Sequence, residues 1–250
     1  MIKEAFIQEY GNGKIEPEHK DILAVLEANT IPVKFFTQKI LDRKQLKLDK
    51  NTLVVGETHI VLKALSYLGI TKPPPNSYPI CLQQFLKRKI WESTVRELVY
   101  NLRHDMFESG VFAKPKSDAK KFTGCVLNSL SDLYKLQNAS LNTSIYCSEL
   151  VEWKSEYRVF VVNSKIVGIK NYAGSNEISL DISLVEEAIQ IFGKTDERTI
   201  AYGIDFGIMK NNETALIEWN DGYSLGSYGL EKEIYTDLII KRWEELTMIL

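Results

Sequence analysis

Ala215-Leu-Ile-Glu-Trp-Asn-Asp221, read together with Asp205, decides how this 250-residue chain is to be understood. Glu218 and Asn220 stand two apart in a run of strand-forming residues. Side chains on a strand alternate between faces, so these two point the same way. Asp205 lies in a second apolar run, Tyr202-Gly-Ile-Asp-Phe-Gly207, which can pair alongside through a turn at residues 210–213. Two carboxylates and an amide oxygen then converge on one sheet face. Such a hard-oxygen set suits Mg²⁺, which keeps several waters and also binds substrate phosphates. The alternative is a solvated strand face, but acidic residues are depleted in strands and these sit between apolar neighbours. The pattern suggests an enzyme that handles a nucleoside triphosphate.

Upstream lie more short strands. Tyr157–Val162 and Lys165–Lys170 form an expected hairpin about Asn163-Ser164. It carries Arg158 and Lys170, two cations in otherwise apolar stretches, and a buried cation needs an anion. A salt bridge with Glu156 or Asp205 would satisfy that need. So would a phosphate or a substrate carboxylate, either of which an arginine grips well. Gly110–Pro115 reads as a strand ending in Lys114-Pro115, followed by a polar loop to Gly124 that contains Lys121. That loop can neutralise phosphates or can simply be a solvated basic segment, and it is not a P-loop. Val126–Ser129 and Ser144–Cys147 are further strands. Tyr146-Cys-Ser-Glu-Leu-Val-Glu-Trp153 offers backbone groups and a carboxylate to a base, or is an edge strand turning a corner.

The first part of the chain alternates strand and helix: strands at Ala5–Gln8, Val33–Phe36 and Thr52–Gly56, and helices over Glu18–Glu27 and through Val61, Leu62, Leu65 and Leu68. That alternation predicts a parallel sheet. Lys72-Pro-Pro-Pro-Asn-Ser77 is the strongest break, since consecutive prolines suit neither helix nor sheet interior. A domain boundary is expected there, followed by a helix from about Leu82 to Leu102. Leu184–Phe192 and Ile234–Leu246 read as later helices.

The composition is that of an ordinary globular protein, 44% hydrophobic and 26% charged. A net charge of −2 gives no global pull toward nucleic acid or an anionic membrane. Nucleic-acid binding is disfavoured, with a local cluster of Lys34, Lys39, Arg43, Lys44, Lys47 and Lys50 as the one argument for it. Three scattered cysteines and three scattered histidines predict neither a zinc site nor a disulfide framework and fit a cytoplasmic location. The start of the chain lacks the apolar stretch of a secretory signal, and no apolar run is long enough to span a bilayer.

Taken in order, these segments resemble the ATP-grasp enzymes. Glu156-Tyr-Arg-Val-Phe-Val, Gly168-Ile-Lys170 and Glu218-Trp-Asn-Asp-Gly-Tyr-Ser-Leu-Gly226 are similar to the clade marked by one arginine and two lysines. The resemblance implies an α/β ATP-grasp fold over residues 84–250, with a small lid subdomain at about 110–150 and a larger Mg²⁺-binding subdomain at 151–250. Residues 1–80 would form a Rossmann-like pre-ATP-grasp domain. It further implies that Lys114 contacts the α- and β-phosphates, with the Lys116–Gly124 loop and Lys121 closing over ATP. Glu149 would bind the adenine amino group, the Leu150–Val151 backbone the ring edge, and Glu156 the ribose. Arg158 and Lys170 would stand by the γ-phosphate and acyl group, and Asp205, Glu218 and Asn220 would hold one or two Mg²⁺ ions. The covering loop departs from the superfamily in lacking a glycine-rich run.

The implied activity is an ATP-dependent ligase joining a carboxylate to an amine through an acyl phosphate, on small-molecule or peptide substrates. A phosphotransferase, a non-catalytic ATP-binding module, and modification of a peptide or nucleic-acid end are the competing readings. Substrate identity and oligomeric state are not encoded in any of these motifs.

Overall fold

The computed structural model describes residues 2–116, 122–137 and 139–248. Three sheets organise the chain. The first is parallel, in the order β2–β1–β3, from β1 (Glu4–Gln8), β2 (Val33–Phe36) and β3 (Thr52–Val55). The helices α1 (Pro17–Ala28), α2 (Gln38–Asp42) and α3 (Thr58–Tyr67) intervene, as the alternation of strand and helix predicts. The second sheet is antiparallel, in the order β4–β7–β5–β6, from β4 (Ile90–Thr94), β5 (Val111–Pro115), β6 (Cys125–Leu127) and β7 (Ser144–Ser148). The third, also antiparallel, has the order β11–β10–β8–β9. Its strands are β8 (Trp153–Val162), β9 (Lys165–Gly174), β10 (Ala201–Met209) and β11 (Thr214–Asp221). Asn163 and Ser164, both at positive φ, close the β8–β9 hairpin, the geometry that matches the twist of the flanking strands.

One expectation fails. No helix runs from Leu82 to Leu102. A 3₁₀ turn at Ile80–Phe85 is followed by β4 and then by α4 (Val95–Arg103). The reason is local. Thr94 caps the helix, its side chain accepting from the Glu97 backbone while the Glu97 carboxylate accepts from the Thr94 backbone. This capping box starts a helix at residue 95 and no earlier. The preceding Ile90-Trp-Glu-Ser-Thr is extended and pairs with β7.

Strand parity assigns the faces of the third sheet. Tyr157, Val159 and Val161 of β8, with Tyr202, Ile204, Phe206 and Ile208 of β10, pack against α5 (Ile182–Phe192). Phe160, Val162 and Ala201 point the other way. They join α6 (Lys232–Met248) and the core of the parallel sheet in one buried cluster around Trp243 and Leu238. Gly207 carries no side chain because the Trp153 indole lies where a Cβ would be. Among the described residues no helix is long and apolar enough to cross a membrane. Replacing Thr94 with Ala should lower the unfolding free energy by about 1 kcal/mol. Urea titration should show a lower midpoint with an unchanged slope.

Candidate active site between two sheets

Asp205 and Glu218 lie opposite each other on β10 and β11, and this depends on one extra residue. Asp205 pairs with Glu218 but Phe206 pairs with Leu216, so Ile217 is a β-bulge. An unbroken register would set Glu218 against Ile204, facing the apolar layer of α5. The bulge instead puts Glu218 and Asn220 on the face of Asp205. Arg88 holds it in place, donating from Nη1 to the Leu216 carbonyl at 2.7 Å and from Nη2 to the Ile217 carbonyl at 2.9 Å. The Arg88 guanidinium in turn lies 5.4 Å from the Trp153 ring centroid.

Two cations meet these carboxylates. Arg158 of β8 grips Asp205 through two bonds, Nε to Oδ1 at 2.8 Å and Nη2 to Oδ2 at 2.6 Å. Both side chains are almost wholly buried. Lys114 of β5 reaches across from the second sheet to an ion pair with Glu218, so the site lies between two sheets. Asn220 Nδ2 donates to Asp205 Oδ2 at 3.2 Å. Aromatic rings cover both cations. The Tyr78 ring is 4.7 Å from Lys114 Nζ and the Tyr228 ring 4.7 Å from the Arg158 guanidinium.

Desolvation shapes the protonation states. Burial works against the Lys114 ammonium, but Glu218 and Tyr78 outweigh it and hold the group above the ordinary lysine value. Burial also works against the Glu218 carboxylate, and Lys114 outweighs it there, holding the pKa below its usual range. Burial pushes the Asp205 carboxyl up against the pull of Arg158, whereas Asp205 overcomes the desolvation of Arg158 and holds that group up. The first shift favours a neutral Asp205 and the second a charged partner for Arg158. The bidentate geometry decides for an ionic pair, in which the guanidinium keeps its proton.

Lys170 stands opposite Arg158 in the β8–β9 register and has no ion pair among the described residues. Glu156 Oε2 accepts from the Tyr172 hydroxyl at 3.0 Å, and the Tyr172 ring stacks on Tyr228, which ties Glu156 to the rim of the same site. Glu149, Leu150 and Val151 lie on the β7–β8 connection. The Glu149 carboxylate accepts from the Lys89 backbone at 2.9 Å. Lys121 lies outside the described residues. Arg88, Tyr78, Tyr172 and Tyr228 carry no signal of their own in the sequence. Only the positive φ of Tyr228 marks it as special, and that is a property of the folded backbone.

Next to the cluster opens a cleft of about 920 Å³, lined by Arg158, Glu218 and Asn220 on one side and by the parallel sheet with α1 on the other. Among the described residues no three of His, Cys, Asp and Glu gather as a metal cluster. Asp205, Glu218 and Asn220 supply two carboxylates and an amide, a donor set whose hard oxygens fit Mg²⁺.

Two antiparallel sheets with a cation–carboxylate cluster between them, joined to a small parallel sheet, make an α/β architecture with a cleft beside the cluster. Residues 85–238 match a family model for the ATP-grasp domain, that of family 2 in the clade named for one arginine and two lysines. The chain belongs to that family. Solved structures agree in fold. A D-alanine–D-alanine ligase from Bacillus anthracis aligns with a TM-score of 0.58 at 14% identity, over 99% of each chain. An L-amino acid ligase from Bacillus licheniformis aligns at 0.60 and 11% identity, over 98% of this chain and 74% of that one. The macrocyclase MdnC from Microcystis aeruginosa MRC, bound with precursor peptide MdnA, aligns at 0.53 and 12% identity, over 95% and 99%. A search of curated protein sequences finds no match.

Removing one partner of a buried ion pair leaves an uncompensated charge. Arg158→Met should therefore cost about 3–5 kcal/mol of stability. The double variant Arg158→Met/Asp205→Leu should recover most of that loss in urea unfolding, a coupling that independent surface residues would not show.

Proposed function

We propose that the protein is a carboxylate–amine ligase, in which a substrate carboxylate attacks the γ-phosphate of ATP and an amine then displaces phosphate from the acyl phosphate. The observation that carries this reading is the meeting of Lys114 and Arg158 with Asp205, Glu218 and Asn220 between two sheets, beside a cleft. Phosphoryl transfer asks little covalent chemistry of the protein and much positioning and charge neutralisation. Two desolvated cations aimed at one place supply that.

Lys114 would turn from Glu218 to the α- and β-phosphates. Arg158 would face the transferring phosphoryl and then the oxyanion of the tetrahedral intermediate, with Lys170 beside it. Asp205, Glu218 and the oxygen of a turned-over Asn220 amide would hold Mg²⁺. When bound, the ion supplies charge neutralisation for the phosphate oxygens. Glu149 and the Leu150–Val151 backbone would take the adenine, Glu156 the ribose, and Lys121 the outer phosphates. The residues before the proline segment would serve as the pre-ATP-grasp domain, those near 110–150 as the lid, and 151–250 as the Mg²⁺-binding part.

Glu218→Gln should reduce ATP-dependent ADP formation by about a hundredfold or more, with a far-ultraviolet spectrum like that of the parent. Full turnover in this variant refutes the assignment of Glu218. The ligase reading requires free phosphate to appear only when both a carboxylate and an amine are supplied. A stable phosphorylated product would instead make the protein a phosphotransferase.

A further inference from the structure

Glu218 and Asn220 sit on the least supported strand of their sheet. β11 lies at the edge, so only β10 pairs with it, and the bulge at Ile217 interrupts even that ladder. An edge of this kind opens more easily than a central strand. Metal ligands need the opposite, because their oxygens must be held to within about half an ångström.

The strand is nevertheless held from outside the sheet, at three points in succession. Before Glu218, Arg88 bonds the Leu216 and Ile217 carbonyls. Between the two ligands, the Trp219 amide donates to the Ser77 carbonyl at 2.9 Å. After Asn220, Arg242 of α6 grips Asp221 through two bonds of 2.6 Å, from Nε to Oδ1 and from Nη2 to Oδ2. Its remaining nitrogen, Nη1, donates to Glu245 at 2.6 Å. Glu245 in turn accepts from the Ile200 amide at 2.9 Å, directly before β10. The Arg242 side chain is 6% exposed and that of Asp221 12%, so this pair is fixed in a dry interior. Two of the anchors come from residues 77–88, which lead to β4, and the third comes from the C-terminal helix.

We propose that Arg88 and Arg242 are positioning residues for Mg²⁺: they clamp residues 216–221 at both ends, so that Glu218 and Asn220 are aimed before any ligand arrives. The proposal rests on the reading that these two side chains hold the ion. Neither arginine lines the cleft, so each acts through the strand and not on the ligand. Lysine could not replace either one. A single ammonium is a point charge, whereas the planar fork binds two acceptors at once and fixes direction together with distance.

The test uses the full chain and the variants Arg88→Lys and Arg242→Lys, which keep the charge and lose the fork. ADP is titrated calorimetrically in Mg²⁺ and in EDTA. The parent should bind ADP tighter in Mg²⁺, and that tightening should shrink by on the order of tenfold in each variant. Affinity in EDTA should change by less than about twofold, since the clamp acts on the metal ligands alone. An unchanged response to Mg²⁺ in a folded variant overturns the proposal. So does an equal loss with and without the ion, which is what a purely structural arginine would give. Hydrogen exchange on the parent decides the matter if the variants do not fold. Amides of residues 214–221 should exchange as slowly in the free protein as with Mg²⁺ and ADP; slowing by about tenfold or more on binding would show that the segment was not aimed beforehand, and the proposal falls. Failure of the ligase reading looks different. A parent that binds no ADP in either condition refutes that reading, while faster exchange over 214–221 in the two variants, with β8 unchanged, leaves the clamp standing.

Discussion

A single inserted residue sets the chemistry of this protein. Ile217 has no partner on β10, and its presence turns the following carboxylate out of an apolar layer onto the face that Asp205 already occupies. Everything else in the cluster follows from that turn. Once Glu218 and Asp205 share a face, two negative charges stand side by side in a half-dry interior, which is tolerable only if cations come to meet them. One arrives from the neighbouring strand β8 and the other from a separate sheet. The link between the two antiparallel sheets is thus partly electrostatic, and it is centred on the place where a ligand with negative charge would dock.

The balance of those charges explains how the site can be both folded and receptive. With two carboxylates set against two cations, the resting cluster is close to neutral. In the proposed reaction a polyphosphate and its metal ion would exchange partners with groups already ionised and already desolvated. The aromatic rings over Lys114 and Arg158 keep water from the cations while presenting only a weak competing attraction.

Much of this was legible in the residues. Runs of strand-forming residues located β8, β9, β10 and β11, and the requirement that a strand-borne cation find an anion offered Glu156 or Asp205 as a partner for Arg158, of which the structure pairs Asp205. Lys114, Arg158, Asp205, Glu218 and Asn220 come together between the two antiparallel sheets. The helix expected from 82 to 102 gives way to β4 and a shorter α4, because the polar Thr94 and Glu97 fix the helix start at residue 95. Arg88 was invisible for a different reason. Its partners are main-chain carbonyls some 130 positions away (Leu216 and Ile217), which leave no mark in side-chain patterns.

The bare backbone at Gly207 has a long reach. It leaves room for the Trp153 indole, that indole supports the Arg88 guanidinium, and the guanidinium pins the two carbonyls that define the kink before Glu218. Adding one methyl group on β10 would displace the tryptophan and, through it, loosen the aim of a carboxylate on the next strand. The position of a charge is in this way governed by an absence of atoms, transmitted through a relay of stacking and main-chain bonds that never touches the charge itself.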